Sequence, residues 1–133
     1  MDCIFCKIID GSIPSRKIYE DKFTYAFLDI ADDVDGHTLV VPKKHIRDIF
    51  DLDKLTSEHL LTAVKMISQH YVEKCGYDGV NILHASGEAA GQTVFHFHFH
   101  IIPRKTDDNI NCWTNFPGRK KTLDEMLEVL KIN

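Results

Sequence analysis

Nothing in this 133-residue sequence approaches the ~18 consecutive apolar residues that a membrane-spanning helix requires. Positive charge is also scarce: 16 Lys and Arg face 20 Asp and Glu, a formal net charge of −4. A general phosphate-backbone binder needs a basic surface to release counterions, so neither a nucleic-acid nor a membrane partner is expected. Any phosphate chemistry has to be local. The opening Met1-Asp2-Cys3-Ile4-Phe5-Cys6 lacks the basic region and long apolar core of a signal peptide, and a cytoplasmic protein is expected. Of the four cysteines, Cys3 and Cys6 form a C-x-x-C while Cys75 and Cys112 stand alone, which gives no disulfide framework. Repeats, low-complexity tracts and linkers are absent, so residues 1–133 are expected to form a single domain.

What is present is a series of short strands interrupted by helices, the pattern of an α+β fold. From Ile18 to Ile30 the alternation of Phe23, Tyr25, Phe27 and Asp29 with their neighbours predicts a hairpin turning near Glu20-Asp21-Lys22. His37-Thr38-Leu39-Val40-Val41 reads as a buried strand closed by Pro42. Leu60, Val64, Ile67 and Tyr71 recur at helical spacing between Leu55 and Cys75, with Gly76 as the stop. Val80 to Leu83 and Val94 to Ile102 predict two more strands, joined by a Gly- and Ala-rich connection. Thr122 and Glu125 form a capping box ahead of a short amphipathic helix carrying Leu123, Met126, Leu127 and Leu130. The expected architecture is an antiparallel sheet with one main helix and short terminal helices. Its core spans 3–104, with 105–133 as a C-terminal extension.

The most informative segment is Phe95-His96-Phe97-His98-Phe99-His100-Ile101-Ile102, where polar and apolar residues alternate without a miss. In a strand that alternation puts three histidines on one face while the phenylalanines bury against the core and hold that face rigid. Neighbouring histidines would lie roughly 6.6 Å apart and the outer two roughly 13 Å, so one metal cannot take all three. Two adjacent histidines can share a metal, which leaves open a zinc hydrolase that activates water. A merely solvated polar face is the bland alternative.

His96-Phe97-His98-Phe99-His100-Ile101-Ile102 resembles the signature of histidine-triad (HIT) proteins. Ile4-Phe5-Cys6-Lys7-Ile8-Ile9, Ala26-Phe27-Leu28-Asp29-Ile30, Gly36 to His45 and Gly91-Gln92-Thr93-Val94 fall in the same order as in that family. The resemblance covers Cys3 to Arg104 and is strongest to the Hint-like branch. It implies a HIT-like fold, a homodimer, and hydrolysis of purine nucleoside phosphoramidates, dinucleoside polyphosphates or related compounds at the α-phosphate.

By the same resemblance His98 is the nucleophile that is transiently nucleotidylated, while His100, Gln92 and Thr93 contact phosphate and leaving group. Asp29 matches the ribose-binding carboxylate, with a strand-end turn as its alternative role. Phe5, Ile8, Ile13, Phe27 and Ile30 would make the base pocket, or else simply pack the core. In zinc-bearing branches the C-x-x-C is completed by two histidines, which implies structural zinc at Cys3, Cys6, His45 and His96. Two packed thiols are the competing explanation. Ala85-Ser86 stands where many relatives carry an Asn pair, so a ribose or phosphate hydrogen bond is expected to be missing. His37 matches a family histidine whose role stays open, and His59, His70 and His84 carry no signal. A nucleotide-sensing module with little turnover is the remaining alternative.

Overall fold

The computed structural model describes residues 2–132. In chain order the elements are α1 (Ile4–Ile9), β1 (Lys17–Glu20), β2 (Thr24–Leu28), β3 (Thr38–Pro42), α2 (Lys54–Glu73), β4 (Gly79–Leu83), β5 (Phe99–Arg104) and α3 (Leu123–Leu130). The five strands form one antiparallel sheet in the order β1-β2-β3-β5-β4. Among the described residues no helix is long and apolar enough to cross a membrane.

The hairpin forms where the alternation places it, because the Asp21 carboxylate accepts the N–H groups of Phe23 and Thr24 at 2.8 Å each and closes the turn. β2 and β3 are buried on both faces. Ala26 and Val40 join Leu60, Val64, Ile67 and Tyr71 of α2, together with Phe97 and Ile101, in one apolar cluster. Tyr25, Phe27, Leu39 and Val41 join Phe5 and Ile8 of α1 in a second cluster on the opposite face. The helical stripe read from the sequence is therefore the buried face of α2. Each such aliphatic side chain contributes about 1.5–3 kcal/mol of transfer free energy. Asp53 starts α2 as its N-cap, accepting the Thr56 N–H at 3.1 Å.

One expectation is corrected. The histidine strand predicted over Val94 to Ile102 joins the sheet only at Phe99. The β3–β5 ladder ends at the Val40–Phe99 pair, next to Val41 and the donor-less Pro42. Upstream of Phe99 the chain is held by other bonds: the Phe97 N–H donates to the Ile46 carbonyl at 2.6 Å, and the His96 ring bonds the Pro42 carbonyl at 2.8 Å. The alternation of side chains survives this change, since Phe97 faces α2 while the His96 and His98 rings lie against Phe5 on the other face.

Gly36 sets the entry to β3. Its φ is +80°, and a Cβ there would lie 2.9 Å from Pro103 Cγ, so no side chain fits immediately before His37. Beyond β5, Arg104 fastens the chain through Asp108 (2.9 and 2.8 Å), Asn81 (2.7 Å) and the Ile110 carbonyl. The capping box of Thr122 and Glu125 opens α3, whose Leu123, Leu127 and Leu130 are exposed.

Candidate functional site

The α1 N-terminus, the β3 exit and the approach to β5 bring four ligating side chains together. Cys3 is the N-cap of α1, its Sγ accepting the Cys6 N–H at 3.4 Å, so one turn of helix points both thiols the same way. His45 follows Pro42, and His96 arrives from the irregular stretch before β5. Cys3 Sγ lies 3.4 Å from His96 Nδ1, and Cys6 Sγ lies 3.4 Å from His45 Nδ1 and 3.6 Å from His96 Nδ1. Tetrahedral zinc with bonds of 2.3 Å to sulfur and 2.0–2.1 Å to nitrogen needs sulfur–nitrogen edges of about 3.6 Å. All four donor atoms lie within 4.8 Å of one another, so the cluster is already close to that size. His96 Nε2–H donates to the Pro42 carbonyl, which fixes the tautomer and turns the Nδ1 lone pair toward the thiols. Burial favours the neutral forms here, pushing the Cys6 thiol up to about 11 and His96 down to about 4, so a metal that binds has to displace the thiol proton. Two sulfurs and two aimed nitrogens fit zinc, with no ligand position left over.

His98 is held differently. Its Nδ1–H donates to the His96 carbonyl at 2.7 Å, leaving Nε2 with a free lone pair, and the ring stands at 5.2 Å to the Phe5 ring in an edge-on arrangement. Burial lowers its pKa below the ordinary histidine range, so the lone pair is available at neutral pH. His84 braces the same backbone. Its Nδ1–H donates to the His98 carbonyl at 2.9 Å, and its ring stacks on Phe97 at 4.4 Å. No local pattern marks His84, because its contact depends on the β4–β5 register, which pairs Leu83 with His100.

On the other flank His100 Nδ1 meets His37 Nε2 at 2.8 Å, and His37 Nδ1–H donates to Asp33 at 2.9 Å. Burial, followed by the neighbouring His98 and His37, pushes His100 down to about 4. Asp29 Oδ2 lies 3.7 Å from His37 Nε2, while Oδ1 accepts the Ala31 N–H at 2.9 Å. The role left open for His37 is thus a link between His100 and two carboxylates.

A pocket of about 370 Å³ opens beside His98 and His100. Phe5, Ile8, Ile13, Phe27 and Ile30 line it together with Asp29 and Thr93. Gln92, expected among the substrate contacts, is 4 % exposed and bonded to backbone instead. Its Oε1 accepts the Gly87 N–H, and its Nε2 donates to the carbonyls of Arg47 and Val94. It locks the 87–94 loop to the segment after His45. Ser86, from the Ala85-Ser86 pair, is likewise engaged locally, its hydroxyl accepting the Ile49 N–H at 2.9 Å and pairing with His84 Nε2.

The HIT domain model matches residues 10–107 of the chain. "Protein hit" of Bacillus subtilis is 48% identical over 103 residues, covering 77% of this chain and 71% of its own length. Adenosine 5'-monophosphoramidase HNT1 of Saccharomyces cerevisiae is 36% identical over 124 residues, covering 93% and 75% respectively. Among solved structures, a Zn-bound histidine triad family protein from Mycobacterium smegmatis superposes with a TM-score of 0.78 at 38% identity, covering 90% of this chain and 86% of that one.

Proposed function

The chain belongs to the HIT domain family, and from that premise we propose that it is a nucleotide hydrolase whose His98 attacks the α-phosphorus of a purine nucleoside phosphoramidate or related compound. The observation that carries this reading is the His98 ring, anchored through Nδ1 at 2.7 Å with a bare Nε2 at the wall of the 370 Å³ pocket. The base would lie between Phe5, Ile8 and Phe27, with the ribose diol at Asp29. Nε2 gives its lone pair to phosphorus. The bond from phosphorus to the leaving nitrogen or oxygen breaks as the leaving group takes the Nε2 proton of His100. His100 draws a proton from His37 onto its Nδ1, and the proton lost from the attacking water in the next step restores it. Water then displaces His98 from the nucleotide and releases the monophosphate. His100 and Thr93 flank the transferred group as hydrogen-bond partners, and Gln92 acts one step back by holding the loop that presents Thr93.

Zinc belongs to the same proposal, at Cys3, Cys6, His45 and His96, supported by the donor geometry and by the Zn-bound relative. When bound it supplies a fixed cross-link between α1 and the chain entering β5. A closed four-ligand site offers no position for an activated water, which favours covalent catalysis over metal-bound hydroxide. The homodimer is proposed on family grounds, with exposed Leu61 and Met66 of α2 and Ile82 of β4 as apolar surface available to it. Sedimentation that showed only a 15.3 kDa species would reject it.

The test is acid-avoiding quench of wild-type protein with an adenosine phosphoramidate, followed by peptide mass analysis. An adenylylated peptide containing His98 is expected. Turnover that is abolished by chelator and leaves no adduct would point to metal-activated water. Tight binding without turnover would point to a sensing module.

A further inference from the structure

A second groove, of about 560 Å³, runs on from the nucleoside pocket and shares the walls Ile4, Ile13, Thr93 and Val94 with it. Beyond those shared residues it is lined by Arg47 and Phe95, with Asp2, Lys7 and the cluster residues Cys3 and His45. The Arg47 guanidinium lies over the Phe95 ring at 4.2 Å to the centroid, which restricts a side chain that would otherwise sample many rotamers. Among the described residues that guanidinium donates no hydrogen bond; its Nε stands 3.7 Å from Asp48 Oδ2, an ion pair longer than a hydrogen bond that leaves the two terminal N–H groups of the fork unengaged, while Asp48 Oδ1 accepts the Phe50 N–H. Lys7, the other cation of the groove, is paired with Asp2 at 2.8 Å, so the two cancel. The backbone of Arg47 is fixed by the Gln92 amide, which ties the groove to the loop carrying Thr93.

From this juxtaposition we infer that the Arg47–Phe95 groove binds the leaving group, and that it selects leaving groups carrying a negative charge. Naming it a leaving-group site rests on the nucleotide-hydrolase reading, in which the nucleoside fills the first pocket and the departing group lies beyond Thr93. A planar guanidinium held by an aromatic ring, with its N–H fork unused, matches a carboxylate or phosphate in two parallel bonds.

The experiment measures equilibrium binding in a His98→Ala background, where substrate is not consumed. Three adenosine 5'-phosphoramidates serve as probes, built on β-alanine, β-alanine methyl ester and O-phosphoethanolamine. Arg47→Gln is expected to weaken the two anionic conjugates by about tenfold and the neutral ester by less than twofold. The anion that loses more is the better match. Equal weakening of all three, or no weakening of any, overturns the proposal. Should Arg47→Gln fail to give a cooperative melt, Phe95→Leu decides, with about a threefold loss expected for the anionic conjugates alone. Turnover of the same conjugates by wild type is measured separately. Its absence would sink the hydrolase reading while the binding comparison still decides whether the groove recognises anions.

Discussion

Two groups of ligating side chains flank His98, and they are made from opposite materials. In the Cys3, Cys6, His45 and His96 group both imidazoles aim an Nδ1 at sulfur, and His96 is tied from behind by a backbone carbonyl. In the Asp29, His37 and His100 group the nitrogens are bonded to each other at 2.8 Å, with carboxylates around them. Two thiols and two imidazole lone pairs converging on one point give a cation four donors once the thiols release their protons. Nitrogens that share a proton are suited to moving one. Histidine spacing is the same on either side of His98, so the difference lies in what each ring meets: thiols and a carbonyl on one side, imidazole and carboxylate on the other.

Removing the residue between the groups should have the largest effect. His98→Ala is expected to cut turnover of an adenosine phosphoramidate by at least about a thousandfold and to abolish the covalent adduct, while zinc content and nucleotide affinity persist. Steady-state kinetics with metal analysis checks it. Near-normal turnover would mean that neither flank serves a nucleophile at this position.

The metal side can be broken alone. Cys6→Ser should lose stoichiometric zinc and lower the melting temperature by about 10 °C, because metal binding at a four-ligand site adds directly to folding free energy. Unchanged zinc content in the purified variant would leave the two thiols as packing groups.

Legibility in the sequence followed the same divide. Elements specified by period were readable: Leu60, Val64, Ile67 and Tyr71 mark the buried face of α2, and the run Leu39-Val40-Val41 marks a strand covered on both faces. The triad alternation also predicted which rings share a face. What periodicity could not convey is which bonds hold the chain. His96 and His98 alternate like strand residues yet lie outside the ladder, since the Pro42 and Ile46 carbonyls take the bonds a neighbouring strand would have taken. Gln92 sits beside Thr93 in sequence, but its amide satisfies buried backbone groups rather than facing the pocket. His84 meets the His98 carbonyl only through the pairing of β4 with β5, and the Asp33–His37 contact is set by how the loop before β3 turns; side-chain periodicity encodes neither.

The proton-sharing side has an acid signature. The pKa of His100 is about 4 in the folded protein against an ordinary 6.5, so below 6.5 the unfolded chain binds the extra proton. Stability from this group is complete above pH 6.5 and is lost as pH falls toward 4. His100→Gln should therefore show a smaller drop in urea midpoint between pH 7 and pH 4.5 than wild type. Acid release of zinc contributes equally to both proteins and cancels in the difference. Identical drops would show that His100 does not titrate as its burial requires.

The smallest expected effect concerns the outer end of that side, where Asp33 is partly exposed. Asp33 accepts from His37 Nδ1–H, so the His37–His100 contact has two forms. With His37 neutral, His100 Nδ1–H donates to it and His100 Nε2 is bare. With His37 charged, the proton lies on His37 Nε2, and His100 presents Nε2–H to the pocket as a donor. Negative charge developing on the phosphoryl oxygens favours the second form, and the Asp33 carboxylate stabilises the cation it needs. Asp33→Asn keeps an acceptor oxygen but removes the charge. Trading a charge-assisted bond for a neutral one is worth about 1 kcal/mol, so kcat should fall roughly fivefold with KM nearly constant. Asp33→Glu, which restores the charge, should recover part of the loss. An unchanged kcat in Asp33→Asn would reduce Asp33 to a turn residue, leaving Asp29 as the carboxylate that distinguishes this flank from the metal side.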